Sequence, residues 1–398
     1  MTFIKDFFNY VKVYSKYVDF TIVITYVLLS LIGLVMIYSA SMVIASKSEG
    51  ITGGNPNHYY VRQLISMILG YIVVFIMAYF MSGEFLRNKY FQMLATAGIF
   101  VLLIFTVIFG TEVNGERNWI RLAGFNFQTS EFFKIVTILY LSYIYDRKKN
   151  RLKQLEWGHL APVGFIGICT MLVISNDFGT GLVIIGIILG IFIYSGIPMR
   201  FLFKVGGALS LAAGVVGVII YMIKGSILSP HQQARIDTFL HPFNDPTGTG
   251  YQLTNALVSI SHGGISGTGL GNGVMKLGYL PEPHTDFIFA VTAEELGLIG
   301  VIVILSLYLI IVIKALRYAA ISQDKFYSLI CMGVAIYISF QLFVNLGGIS
   351  KLIPLTGVPL PMLSYGGSSF LSISIAIGLL IISAKHVKKE KIAERAGV

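Results

Sequence analysis

Long apolar runs separated by short polar breaks make up most of the chain. Ten of them, at about 19–43, 63–81, 91–110, 131–146, 160–175, 180–197, 205–223, 287–313, 328–347 and 366–384, approach or exceed the length of a membrane helix. Crossing a hydrocarbon core about 30 Å thick takes about 20 apolar residues. The fourth and fifth runs are the shortest. The pattern predicts an all-α polytopic membrane protein, one membrane domain over 1–398 with about ten transmembrane helices. A large extracytoplasmic loop, 224–286, would lie between helices 7 and 8. The first run reads as a span, because it is too long for a cleavable signal, lacks a small-residue cleavage site and has nine successors.

Composition agrees: 55% of residues are hydrophobic and 12% charged, a balance that leaves too little polar surface for a soluble domain of this length. The net charge of +10 would suit a nucleic-acid binder, but its distribution excludes that class. Arg87, Lys89, the cluster Arg147-Lys148-Lys149, Lys314, Arg317, Lys325 and the 385–398 tail all fall in alternate breaks, together with Lys5, Lys12 and Lys16 ahead of the first run. This asymmetry orients both termini to the cytoplasm, and attraction to anionic lipid follows from it. Cys169 and Cys331 sit in separate apolar runs, which argues against a disulfide and excludes a cysteine metal site.

The outward breaks, 46–62, 111–130, 176–179, 224–286 and 348–365, hold the unusual residues. In the longest, Tyr251, Leu253, Leu257, Val258 and Ile260 form an amphipathic pattern, so one or two short helices are expected on the membrane surface. The glycine cluster His262–Gly273 is expected to be a turned connector, or else a loop whose backbone N–H groups approach a diphosphate. Pro354, Pro359 and Pro361 forbid a regular helix over 348–365, so that segment should dip into the protein and return. Lys351 and Ser368 at its borders are candidate substrate contacts.

Ionisable groups at membrane depth are costly and suggest function. Asp286, just ahead of the eighth run, is the first candidate, with capping of the following helix as the alternative. Glu131 and Lys134 are three residues apart and share a helical face, as an ion pair or as a binding site. Asp177 either caps the sixth run or binds substrate. Trp119, with Arg117 and Arg121, is a belt aromatic or part of a phosphate site. Glu294 lies about 12 Å deeper along a helix than Asp286. It and Glu295 project in different directions, so internal partners are expected for them, with proton coupling as the alternative.

Read together, several segments resemble the SEDS family of membrane proteins along essentially the whole chain. They are Tyr38-Ser39-Ala40-Ser41, Asn114-Gly115 with Trp119-Ile120, Gln128-Thr129-Ser130-Glu131 with Lys134, and Asp177-Phe178-Gly179-Thr180. They continue through Gly250-Tyr251-Gln252, Gly269–Asn272, Leu280–Phe287, Pro354–Pro361 and Ser364–Ser369. The resemblance implies a peptidoglycan glycosyltransferase that polymerises lipid II and works with a class B penicillin-binding protein transpeptidase and other divisome membrane proteins. It implies Asp286 as the catalytic residue, and Lys134, Glu131, Trp119, Arg62, Asp177, Lys351, His284 and Ser368 as substrate-binding candidates. Gly271–Leu280 looks more like the division branch of the family than the elongation branch. Asn118, Thr129 and Asn176 depart from the usual family pattern.

The implied reaction is one inverting displacement, which needs a base at the attacking hydroxyl and charge stabilisation at the departing diphosphate. Asp286 would be the base, and an ordinary aspartate is a weak one near neutral pH, so partial burial is expected to help it. Lys134, Arg62, Lys351 or a divalent cation (Mg or Mn) would stabilise the leaving group, with Asp177 steering a lysine or the metal. The rivals are a lipid II flippase, which would use Glu294 and Glu295 for coupling, and a noncatalytic scaffold for division partners.

Overall fold

The computed structural model describes residues 11–113, 116–122, 125–150, 161–198 and 250–396, with a few isolated positions between 200 and 240. Its main helices are α1 (Phe20–Lys47), α2 (His58–Tyr79), α3 (Lys89–Phe109), α4 (Thr129–Arg147) and α5 (Ala161–Ile174). The rest are α6 (Phe178–Tyr194), α7 (Tyr251–Gly263), α8 (Ile288–Ile321), α9 (Lys325–Ile349) and α10 (Gly367–Ala396). Nine of the ten apolar runs thus appear as helices; the seventh, 205–223, and most of 224–249 lie outside the described residues. Among the described residues, six helices are long and apolar enough to cross a membrane: α1, α2, α3, α8, α9 and α10. The α5 and α6 helices are shorter, and α4 carries Glu131, Lys134, Asp146 and Arg147 within its 19 residues. Side-chain caps start several helices. Asp19 accepts from Thr21 N, Asp177 from Thr180 N and Asp324 from Phe326 N, each satisfying an amide with no partner inside its helix.

The basic breaks come together at one end of the bundle. Lys314 pairs with Asp19 at 2.9 Å, and Arg87 bridges Asp146 at 2.9 Å and Asp324 at 2.6 Å. Lys385 and Lys388 of α10 donate to Ala78 O and Val18 O, so the described parts of both terminal segments share this end. Helix α9 lies at the centre, packed on α4, α6, α8 and α10, with Tyr337, Val334 and Ile338 buried.

Two features were not read from the pattern. First, the 111–130 break is a three-stranded antiparallel sheet, β1 (Thr111–Val113), β2 (Glu116–Leu122) and β3 (Phe125–Gln128), with Trp119 opposite Gln128 and Ile120 opposite Phe127. The available signal was Asn114-Gly115, a dipeptide that favours hairpin turns. Second, α8 breaks at Gly297, whose φ is 65° and ψ −169°. The break leaves backbone groups of α8 without helical partners, and the glycine cluster satisfies them. Thr268 N donates to Glu294 O and Gly269 N to Glu295 O, while Leu298 N donates to Gly264 O and Ile299 N to Ile265 O. A Cβ on Gly297 would lie 2.2 Å from Gly267 N, and one on Gly267 2.2 Å from Glu295 O, so both segments need glycine at this crossing. Helix α7 packs on α8 in front of the break.

The cluster does act through its N–H groups, but toward internal anions. Gly271 N donates to Glu295 at 2.9 Å and Val274 N to Glu294 at 2.9 Å. Glu295 also takes Lys276 Nζ at 2.5 Å and Ser39 Oγ at 2.8 Å, and Glu294 takes Ser259 Oγ with His262 Nδ1 2.9 Å away. Both glutamates are fully buried and have the internal partners expected of them.

Candidate active site

Asp286 stands in a turn two residues ahead of α8, part-buried. The residue at the α8 N-cap position is Phe287, with no side-chain cap bond, so Asp286 stands one position ahead of the cap. The turn is fastened to the proline-rich segment 351–366, which dips into the bundle as expected. Asn345 Nδ2 donates to both Asp286 O (3.2 Å) and Val358 O (2.7 Å), and Ser364 Oγ donates to Thr285 O at 2.7 Å. Tyr365 N donates to His284 O at 2.9 Å. Tyr308 donates its hydroxyl to Pro361 O, and Gln341 Nε2 donates to Pro359 O at 2.9 Å. Val358, Leu360 and Leu363 are buried. A Cβ on Gly357, whose φ is +72°, would come within 3.5 Å of Asp286 Oδ2, so the carboxylate rests against a stretch of backbone with no side chain. The same segment also meets the start of α6, where a Cβ on Gly179 would lie 2.7 Å from Thr356 O. The segment therefore touches both Asp286 and the start of α6.

His284 is 3% exposed and packs against two tyrosines, its ring 4.2 Å from Tyr59 and 5.5 Å from Tyr365. Burial pushes its imidazole down to about 4, so the ring is neutral at ordinary pH. Its Nε2 is 3.8 Å from Glu282 Oε2, and its Nδ1 has no hydrogen-bond partner among the described residues. Glu282 is exposed and adopts a positive φ of 50°. Arg62, exposed near the start of α2, lies beside the Tyr365 phenol, and its charge opposes the upward push that burial gives that phenol. Asp286, His284 and Arg62 are therefore brought to one region by the dipping segment.

The other candidates have different surroundings. Lys134 and Glu131 are both 0% exposed. Lys134 Nζ donates to Glu131 Oε1 and to Gln341 Oε1, each at 2.8 Å, and lies 4.8 Å over the Tyr337 ring. Tyr337 in turn shares a 2.7 Å hydrogen bond with Ser372. This closed cluster holds Gln341, and Gln341 holds Pro359. Asp177 caps α6 through a 2.8 Å bond from Thr180 N and takes Gln128 Nε2 at 3.4 Å; burial pushes its carboxyl up, against the pull of those Thr180 bonds and of the Lys134 charge. Ser368 ties the sheet to α10, donating to Asn126 O and accepting from Gln128 N. Trp119 is half-buried in the middle strand. Lys351 has a positive φ of 60°, and its Nζ reaches Leu240 O at 3.4 Å.

Sequence reasoning missed Tyr59, Gln341, Asn345 and Gly357. Gln341 and Asn345 carried a usable signal, two amides four residues apart inside an apolar run. Tyr59 and Gly357 carried none. Among the described residues, no three His, Cys, Asp or Glu side chains are grouped to hold a metal ion.

Comparison with known proteins agrees with this architecture. A family model described as a cell cycle protein, covering FtsW, RodA and SpoVE, matches residues 19–389. The probable peptidoglycan glycosyltransferase FtsW of Bacillus subtilis is 37% identical over 378 residues, 94% of this chain and 92% of that protein. The probable peptidoglycan glycosyltransferase FtsW of Coxiella burnetii is 36% identical over 371 residues, 91% of this chain and 95% of that protein. Among solved structures, a chain from a peptidoglycan synthase complex, described as coordinating polymerization and crosslinking, has a TM-score of 0.73 at 26% identity, covering 93% of this chain and 98% of that one. The rod shape determining protein RodA of Thermus thermophilus shares the fold, with a TM-score of 0.64 at 23% identity over 92% of this chain and 96% of that one. A bundle of apolar helices with a polar segment dipping beside Asp286, matched over nearly its full length by these relatives, belongs to the FtsW/RodA/SpoVE family of bacterial membrane proteins, the SEDS family its motifs resemble.

Proposed function

We propose that this chain is a peptidoglycan glycosyltransferase of the division type, polymerising lipid II into β-1,4-linked glycan at the outer face of the bacterial cytoplasmic membrane. The observation that carries the mechanism is the part-buried Asp286 carboxylate against the Gly357 backbone, in a turn held by Asn345, Ser364 and Tyr365. A base fixed by backbone ties loses little freedom when it meets a hydroxyl. Asp286 takes the proton of the acceptor sugar 4-hydroxyl as that oxygen bonds the donor's anomeric carbon. The bond from this carbon to the lipid diphosphate breaks with inversion, so an α-linked donor becomes a β-linkage, and the diphosphate departs with the electron pair.

Arg62, an exposed cation beside Tyr365 of the dipping segment, is assigned to the departing diphosphate. Lys134 and Glu131 hold the dipping segment in place through Gln341. Lys351, Trp119 and the neutral His284 are assigned to the headgroup, and Asp177 and Ser368 to the position of the sheet and of α6. The described residues build no complete metal cage. A Mg or Mn ion carried by the substrate diphosphate would take Asp286 as a protein ligand, as is usual for hard cations that keep several waters or substrate oxygens.

The partners read for this chain are a class B penicillin-binding protein at the division septum and other divisome proteins; the synthase-complex likeness supports the crosslinking partner. Both termini are assigned to the cytoplasm, because the basic breaks share one end of the bundle. A flippase reading loses its main support, since Glu294 and Glu295 are matched by Lys276, Ser39, Ser259 and loop amides.

The test is polymerisation of labelled lipid II by the purified chain with its transpeptidase. Asp286→Ala is expected to purify as a monodisperse protein and to lose at least about 10²-fold in rate, the range for a removed general base. Glycan formed by this variant at the unsubstituted rate refutes the assignment of Asp286. A wild-type chain that makes no glycan but moves lipid II between leaflets refutes the enzyme reading.

A further inference from the structure

At the basic end of the bundle, a groove of about 230 Å³ runs between the first half of α1 and the last half of α2. Val18, Tyr26, Tyr71 and Ala78 line it, and Phe20 and Phe75 stand partly exposed in its walls. The hydroxyls of Tyr26 and Tyr71 are bonded to Ser374 (2.7 Å) and Ser30 (2.6 Å), so neither needs a polar partner in the groove. From Val18 to Val27 the groove follows about 13 Å of helix, close to half of a hydrocarbon core about 30 Å thick. Its depth is that of one leaflet.

Its mouth is cationic. Lys388 Nζ donates to Val18 O at 3.0 Å and Lys385 Nζ to Ala78 O at 2.9 Å, so two ammonium groups are fixed on the backbone of groove-lining residues. Lys389 Nζ lies 5.3 Å from the Tyr14 ring and 5.5 Å from the Tyr17 ring. The carboxylate facing them is Asp19, which already takes Lys314 (2.9 Å), the Tyr318 hydroxyl (2.6 Å) and Thr21 N (3.0 Å). An ammonium has three donors, and a carbonyl uses one on each of Lys385 and Lys388. An apolar slot of one-leaflet depth, with excess positive charge at its mouth, matches an acyl chain that ends in a phosphate diester. A zwitterionic lipid would bring a further cation to the same place.

We propose that the α1–α2 groove, with Lys385 and Lys388 at its mouth, binds one anionic phospholipid from the leaflet at the basic end. The acyl chain runs along Tyr26 and Tyr71, and the phosphate sits on the two ammonium groups. This site is at the far end of α8 from Asp286 and is independent of the transferase reading.

The test is native mass spectrometry of the full chain in detergent, titrated with phosphatidylglycerol or with phosphatidylcholine. One phosphatidylglycerol is expected to be retained in preference to phosphatidylcholine. The pair Lys385→Gln with Lys388→Gln should lower that affinity about 25-fold, at roughly fivefold per basic residue. Val23→Trp, which fills the slot and leaves the lysines in place, should lower it as well, whereas Lys385→Arg with Lys388→Arg should preserve it. Equal retention of the two lipids, binding that never saturates at one molecule, or unchanged affinity in Val23→Trp each overturns the proposal. If loss of the carbonyl ties prevents the glutamine pair from folding, Val23→Trp and the arginine pair still decide it.

Discussion

Removing Lys134 alone should do more damage than removing it together with Glu131. Both side chains are 0% exposed and meet at 2.8 Å. In Lys134→Met the Glu131 carboxylate stays buried without its cation, a change that costs about 3–5 kcal/mol. Glu131→Met strands the ammonium at similar cost. The double variant leaves no buried charge in the pair. What remains is the Gln341 Oε1 that had accepted from Lys134 at 2.8 Å, an unmet acceptor worth about 1–3 kcal/mol. The double-mutant cycle should therefore show a coupling of at least about 3 kcal/mol, with the double variant more stable than either single one. The assay is denaturant unfolding of the four purified proteins in one detergent, with lipid II polymerisation measured on each. The singles are expected to be unstable and inactive, and the double variant to regain most of the stability. A coupling below about 0.5 kcal/mol refutes the closed-cluster reasoning. So does a Lys134→Met protein of ordinary stability whose defect is confined to KM, since that is the behaviour of a cation that contacts substrate directly.

Gly297→Ala places a methyl within 2.2 Å of Gly267 N at a φ of +65°; strain of about 1–3 kcal/mol plus the clash should lower the melting temperature and strip hydrogen-exchange protection from Thr268 and Gly269, and intact protection there refutes the account of the helix break. For His284, the folded imidazole lies at about 4 against 6.5 for the free side chain. Between those values the unfolded chain binds the extra proton, so stability falls as pH drops from about 6.5 toward 4 and is fully present above that window. The shift is worth about 3 kcal/mol; thermal unfolding from pH 7.5 to pH 4 should show the loss, His284→Gln should flatten it, and an unchanged pH profile in that variant refutes it.

The candidate site was partly legible. Asp286 could be found because it is a carboxylate at the edge of a long apolar run, and the dip of 351–366 because three prolines exclude a helix. The partnership of Lys134 with Glu131 was readable from their spacing of three. That the pair is sealed, and acts on the dipping segment through Gln341, was not readable, because Gln341 lies 207 residues further along the chain. Ser368 looked like a substrate contact by its place in a motif, yet its hydroxyl joins Asn126 and Gln128 across 242 and 240 residues. The glycine cluster reads as a turned connector, with a diphosphate on its amides as the alternative, and the structure turns those amides onto internal anions. The anions are Glu294 and Glu295 of the same chain.

By itself, the sequence determined the number and order of the apolar runs, the basic and polar ends of the bundle, and Asp286 as the group to test. These depend on local quantities: how many apolar residues stand in a row, and which charges lie between them. Only the tertiary structure decided which buried polar groups satisfy each other, where α8 breaks, that 111–128 pairs as a sheet, and that Gly357 backs the Asp286 carboxylate. The reason is physical. Inside an apolar bundle each polar group needs a partner, and that partner is supplied by whichever helix packs beside it, however distant in the chain.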